Sequence, residues 1–119
     1  MKKILLVEDD VFLKQLYSDL LTQEKYTFTS VDNGTDAYIE IKKGDWDLIL
    51  LDVMLPGMTG FEIFNKIQEE KISIKKLVFM TNLDSSDKDR SSLEKADEYW
   101  IKSNMTPPDF LEKVKKILG

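Results

Sequence analysis

The run Leu48-Ile49-Leu50-Leu51-Asp52 is continuously apolar until a carboxylate closes it. It is too short for a membrane helix and lacks the polar interruptions of a half-buried strand. It therefore reads as a strand covered on both faces, as in a parallel sheet. Ile4-Leu5-Leu6-Val7, closed by Glu8-Asp9-Asp10, and Leu77-Val78-Phe79-Met80, closed by Thr81, have the same form. Two further candidates are more polar. Tyr26-Thr27-Phe28-Thr29-Ser30-Val31 mixes aromatic, β-branched and hydroxyl residues, and Glu98-Tyr99-Trp100-Ile101 opens on a charge. These two read as sheet edges.

Amphipathic stretches separate the strands. Leu13, Leu16, Leu20 and Leu21 fall on one face of the first, and Ala37, Tyr38 and Ile41 on one face of the second, which Gly44 closes. Thr59-Gly60-Phe61-Glu62 has the form of a capping box opening the third. Residues 84–96 form a polar fourth, with only Leu93 and Ala96 to bury. Thr106-Pro107-Pro108-Asp109 opens the fifth, whose core face carries Phe110, Leu111, Val114, Ile117 and Leu118. Strands alternating with helices predict an α/β, doubly wound (βα)5 sandwich of three layers. With strands two and five at the edges, the flavodoxin-like parallel order 2-1-3-4-5 fits. Its topological switch lies between strands one and three, where ligands bind beyond the carboxyl ends.

Composition narrows what can bind there. The chain has 119 residues, one domain's worth. It carries a net charge of −5, against direct binding of nucleic acid phosphates. It has no cysteine or histidine, so thiolate zinc sites, cysteine nucleophiles and imidazole bases are excluded. Apolar runs stay far below the ~18 residues of a membrane span. Met1-Lys2-Lys3 is followed by too short an apolar run for a signal peptide. The expectation is a cytoplasmic protein without a membrane partner.

At the strand ends lie Glu8, Asp9 and Asp10, then Asp52, Thr81 and Lys102. Taken singly, each has an ordinary explanation: Asp9 or Asp10 as a helix cap, Asp52 as a turn residue. Converging on one switch point, they make an all-oxygen crevice suited to a hard cation such as Mg²⁺.

Four segments together resemble the receiver domain of two-component response regulators over essentially the whole length, residues 1–119. They are Ile4-Leu5-Leu6-Val7-Glu8-Asp9-Asp10, then Leu50-Leu51-Asp52-Val53-Met54-Leu55-Pro56-Gly57-Met58-Thr59-Gly60, then Phe79-Met80-Thr81, and Ala96-Asp97-Glu98-Tyr99-Trp100-Ile101-Lys102. The resemblance implies a signalling domain rather than a turnover enzyme; these residues hold no output domain, as expected of either a stand-alone receiver or a piece of a longer regulator. It implies that Asp52 accepts a phosphoryl group from a histidine kinase or histidine phosphotransfer protein. Glu8, Asp9, Asp52 and the Met54 carbonyl would hold Mg²⁺, with Glu8 acting through water. Thr81 would be the switch hydroxyl, Lys102 the ammonium that pairs with the phosphoryl group, and Tyr99 the aromatic that reports the state. The face formed by residues 84–96, the fifth strand and the last helix would meet partners, in a monomer or a phosphorylation-dependent dimer.

The chain departs from the family pattern at Ser103, where proline is usual after the lysine, and at Asn82, where a small residue is usual. Lys95 also stands where glycine is common. A non-proline cis peptide costs about 2.5–4 kcal/mol, so the Lys102–Ser103 bond is expected to be trans. A flavodoxin-like electron carrier is disfavoured, because Glu8-Asp9-Asp10 would repel a cofactor phosphate and no G-x-G-x-x-G or P-loop pattern occurs. A Mg²⁺-dependent phosphohydrolase would want a second acid two residues after Asp52, where Met54 stands. A phosphorylation-independent interaction module with the same fold is the remaining alternative.

Overall fold

The computed structural model describes residues 2–82 and 91–119. Five parallel strands form one sheet: β1 (Lys3–Val7), β2 (Thr27–Val31), β3 (Leu48–Asp52), β4 (Leu77–Thr81) and β5 (Glu98–Ile101). Their order is β2-β1-β3-β4-β5, with the two polar strands at the edges. Helices α1 (Val11–Gln23), α2 (Gly34–Lys43) and α3 (Gly60–Glu69) and a C-terminal helix (Pro107–Leu118) cover it. The helix expected over residues 84–96 lies largely outside the described residues. Its anchor Leu93 is buried, and Ala96 packs partly buried against the same cluster.

The continuous apolar runs reflect two cores. Successive strand residues point to opposite faces. Leu5, Val7, Ile49, Leu51, Leu77 and Phe79 meet Ala37, Ile41, Ile63, Phe64 and Ile67 from α2 and α3. Ile4, Leu6, Leu48, Leu50, Val78 and Met80 meet Tyr17 and Leu21 of α1 and Phe110 and Val114 of the C-terminal helix. Tyr17 is a core residue that the leucine pattern of α1 omits. It is fully packed and stacks on Phe110 with ring centroids 4.5 Å apart. Tyr38, placed on the core face from the sequence, is only half-buried and gives its hydroxyl to Glu70.

Local chemistry sets the helix starts beside the carboxyl ends of the strands. Asp10 caps α1 through the Leu13 N–H at 2.9 Å, and Asn33 caps α2 through the Asp36 N–H at 2.8 Å. Thr59 and Glu62 complete the expected capping box of α3, as do Thr106 and Asp109 in the C-terminal helix. Gly44 ends α2 at φ 83°, as its residue type foretold.

Gly60 lets α3 start hard against the end of β3. A Cβ there would lie 2.5 Å from the Asp52 carbonyl oxygen and 2.9 Å from the Val53 Cα. Backbone on both sides leaves little room to yield. Gly60→Ala is therefore expected to lower stability by about 1–3 kcal/mol, as overpacking does, and to displace Asp52. Urea unfolding gives the first effect, and Asp52 amide shifts give the second. A stability equal to the wild type would show that the α3 start can slide.

Candidate functional site

The carboxyl ends of β1, β3 and β5 bring the acids and the lysine together. A crevice there is lined by Glu8, Asp9, Asp52, Met54, Asn82 and Lys102. Glu8 is wholly buried and Asp52 is 2% exposed. Lys102 Nζ donates to Glu8 Oε1 at 2.8 Å and to Asp52 Oδ2 at 2.9 Å, bridging the two buried carboxylates. Asp52 Oδ1 accepts the Met54 N–H at 3.2 Å, and Glu8 Oε2 accepts the Asp10 N–H at 3.1 Å. Every oxygen of the two buried acids thus faces a donor.

The acidic run after β1 divides its labour. Glu8 points inward to Lys102, Asp10 caps α1, and Asp9 stays exposed at the crevice. Ligand oxygens of Glu8, Asp9 and Asp52 lie within 4.8 Å of one another. One ammonium faces these three carboxylates. The donor set is all oxygen, and its surplus negative charge suits a hard divalent cation.

The charge state follows. Burial pushes the Asp52 carboxyl up to about 6, aided by the nearby Glu8 charge and opposed by the Lys102 hydrogen bond. Burial and the Asp52 charge raise Asp9 as well. Burial works against the Lys102 ammonium, but its hydrogen bonds to Glu8 and Asp52 prevail and hold it above the usual lysine range. Asp52 is thus less acidic in the folded chain than in the unfolded one. Its contribution to stability is full below the unfolded value and is lost as pH rises through about 6. In metal-free buffer, stability is expected to rise between pH ~7 and ~5. Asp47 and Asp109, whose carboxyls are held low, remain ionised across that window. Denaturant midpoints against pH measure this, and Asp52→Asn should flatten the profile. A profile equally steep in the variant would assign the titration elsewhere.

Thr81 closes β4, fully buried, and pairs in register with Ile101. Tyr99 lies on β5 opposite Phe79, half-buried against the α2–α3 core. Met54 leaves its side chain 62% exposed beside the crevice.

The family model described as the response regulator receiver domain matches residues 4–115. The chain belongs to this family. The receiver is 35% identical to the transcriptional regulatory protein CiaR of Streptococcus pneumoniae, over 97% of this chain and 49% of that one. It is 35% identical to PcoR of Escherichia coli, over 98% of this chain and 50% of that one. The receiver spans about half the length of such full-length curated relatives. Among solved structures it resembles the response regulator TrrA of Thermotoga maritima in complex with Mg(2+)-BeF. Identity there is 32%, with 98% of this chain and 99% of that one covered and a TM-score of 0.83. A CheY-like receiver from Methanospirillum hungatei matches at 29% identity and a TM-score of 0.85, covering 99% of this chain and 94% of that one.

The receiver's departures are also resolved. Among the described residues no peptide bond is cis, so Lys102–Ser103 is trans as expected. Lys102–Asn104 forms a single 3-10 turn, closed by the Met105 N–H to the Lys102 carbonyl at 3.2 Å. Ser103 N–H donates to Asn82 Oδ1 at 2.8 Å. Both residues stand out in the sequence, but nothing in it pairs them across 21 positions. No helix of the described residues is long and apolar enough to cross a membrane.

Proposed function

We propose that this receiver takes a phosphoryl group onto Asp52 from the phosphohistidine of a histidine kinase or histidine phosphotransfer protein. One observation carries the reading: a buried carboxylate at the end of a central strand, 2.9 Å from an ammonium and clustered with two further acids. An Asp52 oxygen attacks phosphorus, the phosphorus–nitrogen bond to the histidine breaks, and an acyl phosphate forms while the imidazole leaves. The protein's share is positioning and charge neutralisation. Met54 N–H and Lys102 orient the attacking carboxylate, and Lys102 stays to meet the phosphoryl oxygens. Glu8 holds Lys102 in place from the buried side.

Asp9, Asp52 and the Met54 carbonyl would hold Mg²⁺, with Glu8 acting through water. Bound there, Mg²⁺ supplies positive charge against the donor phosphate and the crowded acids. The Thr81 hydroxyl, at the end of the neighbouring strand, would bond the new phosphoryl group. Its movement would bias Tyr99 inward, a two-state population shift. The partner-binding face then includes β5 and the C-terminal helix, where Lys113 lies over the Trp100 ring at 5.9 Å.

Intact mass after treatment with acetyl phosphate and Mg²⁺ should show one added phosphoryl group. None would leave a receiver fold used only as an interaction module. Asp9→Ala should weaken Mg²⁺ binding roughly tenfold or more, read by a fluorescence titration of the two tryptophans. Unchanged affinity would remove Asp9 from the metal site.

A further inference from the structure

The two residues that depart from the family pattern at the crevice are joined to each other. Asn82 directly follows Thr81 beyond β4, and Ser103 directly follows Lys102 beyond β5. The Ser103 N–H donates to Asn82 Oδ1 at 2.8 Å, bridging 21 positions of chain. An asparagine side chain accepts only through its carbonyl oxygen, so this donor fixes the amide's orientation. Proline at position 103 would have no N–H to give, and a small residue at 82 would have nothing to receive it. Position 103 supplies the donor and position 82 the acceptor of one bond.

The bond's position gives it a task. The ladder between β4 and β5 ends at the pair Thr81 and Ile101. Lys102 therefore stands one residue past the last paired position of an edge strand. From there its side chain must reach Glu8 on β1 and Asp52 on β3. The Asn82 bond extends the tie between the strands beyond the lysine, by side chain where backbone pairing has stopped. It lies across the turn whose first residue is Lys102.

We propose that Asn82 is a positioning residue. Through the Ser103 N–H it clamps the turn after β5 in a trans conformation and so aims the Lys102 ammonium at Asp52. It acts through Lys102: its side-chain oxygen is bonded to the Ser103 N–H. Its kinetic consequence rests on the phosphoacceptor reading, whereas its effect on Lys102 does not.

The test reads Lys102 directly. Its side chain is only 9% exposed, so acylation of its amine with an activated acetate ester, mapped by mass spectrometry, is slow in the wild type. Exposed Lys76, at the opposite end of the sheet, is the internal reference. Asn82→Ala is expected to speed acylation of Lys102 by roughly 2- to 10-fold, the equilibrium effect of one lost hydrogen bond, and to leave Lys76 unchanged. Asn82→Asp keeps the acceptor and should keep Lys102 protected. Uptake of phosphate from acetyl phosphate should slow in Asn82→Ala, whereas Asn82→Asp is read by acylation alone, because its carboxylate adds a further acid to the crevice. Lys102 protected in Asn82→Ala as in the wild type overturns the clamp, as does Lys102 in Asn82→Asp acylated as fast as in the alanine variant. If Asn82→Ala fails to fold, Asn82→Leu keeps the branched side-chain shape without the acceptor, and full Lys102 protection there overturns it too. A wild type that takes up no phosphate would instead refute the phosphoacceptor reading, with the acylation result still deciding the role of Asn82.

Discussion

Asp52→Asn should reduce phosphoryl uptake at least roughly a thousandfold, because it removes the nucleophile and not merely a supporting charge. The amide has the same shape, so the fold should survive. Lys102 and the Met54 N–H donate to different Asp52 oxygens, at 2.9 and 3.2 Å, so the single amide oxygen keeps one of these bonds and the amide nitrogen faces the other donor. Removing a desolvated carboxylate, whose carboxyl burial pushes up to about 6, should raise stability above neutral pH in metal-free buffer, less the cost of the amide nitrogen that faces a donor. The two effects together identify the mechanism: activity lost, stability gained. A variant that is labelled as fully as the wild type would place the phosphoryl group on another side chain. One that is inactive but unfolded would mean that the carboxylate is structural.

Lys102→Met should do the reverse to stability. It keeps much of the stem's volume and deletes the charge. Glu8 and Asp52, 0% and 2% exposed, would then face each other without their ammonium. Breaking a buried pair from one side costs about 3–5 kcal/mol, which for a domain this size lowers the melting temperature by roughly 10–20 °C. The deficit should shrink as pH falls and Asp52 takes up a proton. It should shrink also on adding Mg²⁺, which restores positive charge to the same acids. Phosphoryl uptake should fall by about 10²–10³, as for loss of one preorganised charge partner. Thermal melts across pH, with and without Mg²⁺, measure the first set and intact mass the second. An unchanged melting temperature would show that water reaches Glu8 and solvates it when the lysine is gone.

Much of this was legible in the residues, for a reason that differs from element to element. Leu48 to Leu51 could satisfy only a strand covered on both faces, since every residue is apolar and the faces alternate. The polar content of β2 and β5 placed them at the edges, a pattern that the order 2-1-3-4-5 fits, whereas the arrangement of the three central strands was set by the fold. Gly44, Thr59 and Thr106 marked helix ends because their conformational and capping preferences act within a few residues. Interactions between distant segments were not legible. Leucine spacing described α1 but not Tyr17, whose burial depends on Phe110 packing against it from the far end of the chain. Tyr38 followed the helical period of α2, yet Glu70 beside it offered its hydroxyl a partner at the surface.

The candidate site divides the same way. The sequence by itself determined which chemical groups stand at the carboxyl ends of the strands, because strand ends follow from local polarity and period. Its residues alone left Asp9 or Asp10 as the helix cap, only the family resemblance set Glu8 and Asp9 apart as metal-holding acids, and Asn82 and Ser103 stood as two unrelated departures. Only the tertiary structure decided that Glu8 is buried against Lys102, that Asp9 faces the crevice and that Asp10 caps a helix. It alone joined Asn82 to Ser103. The physical reason is that a hydrogen bond or ion pair is set within a few tenths of an ångström by the positions of both partners. Here those partners lie 94, 50 and 21 positions apart in the chain, a separation that no local preference can encode.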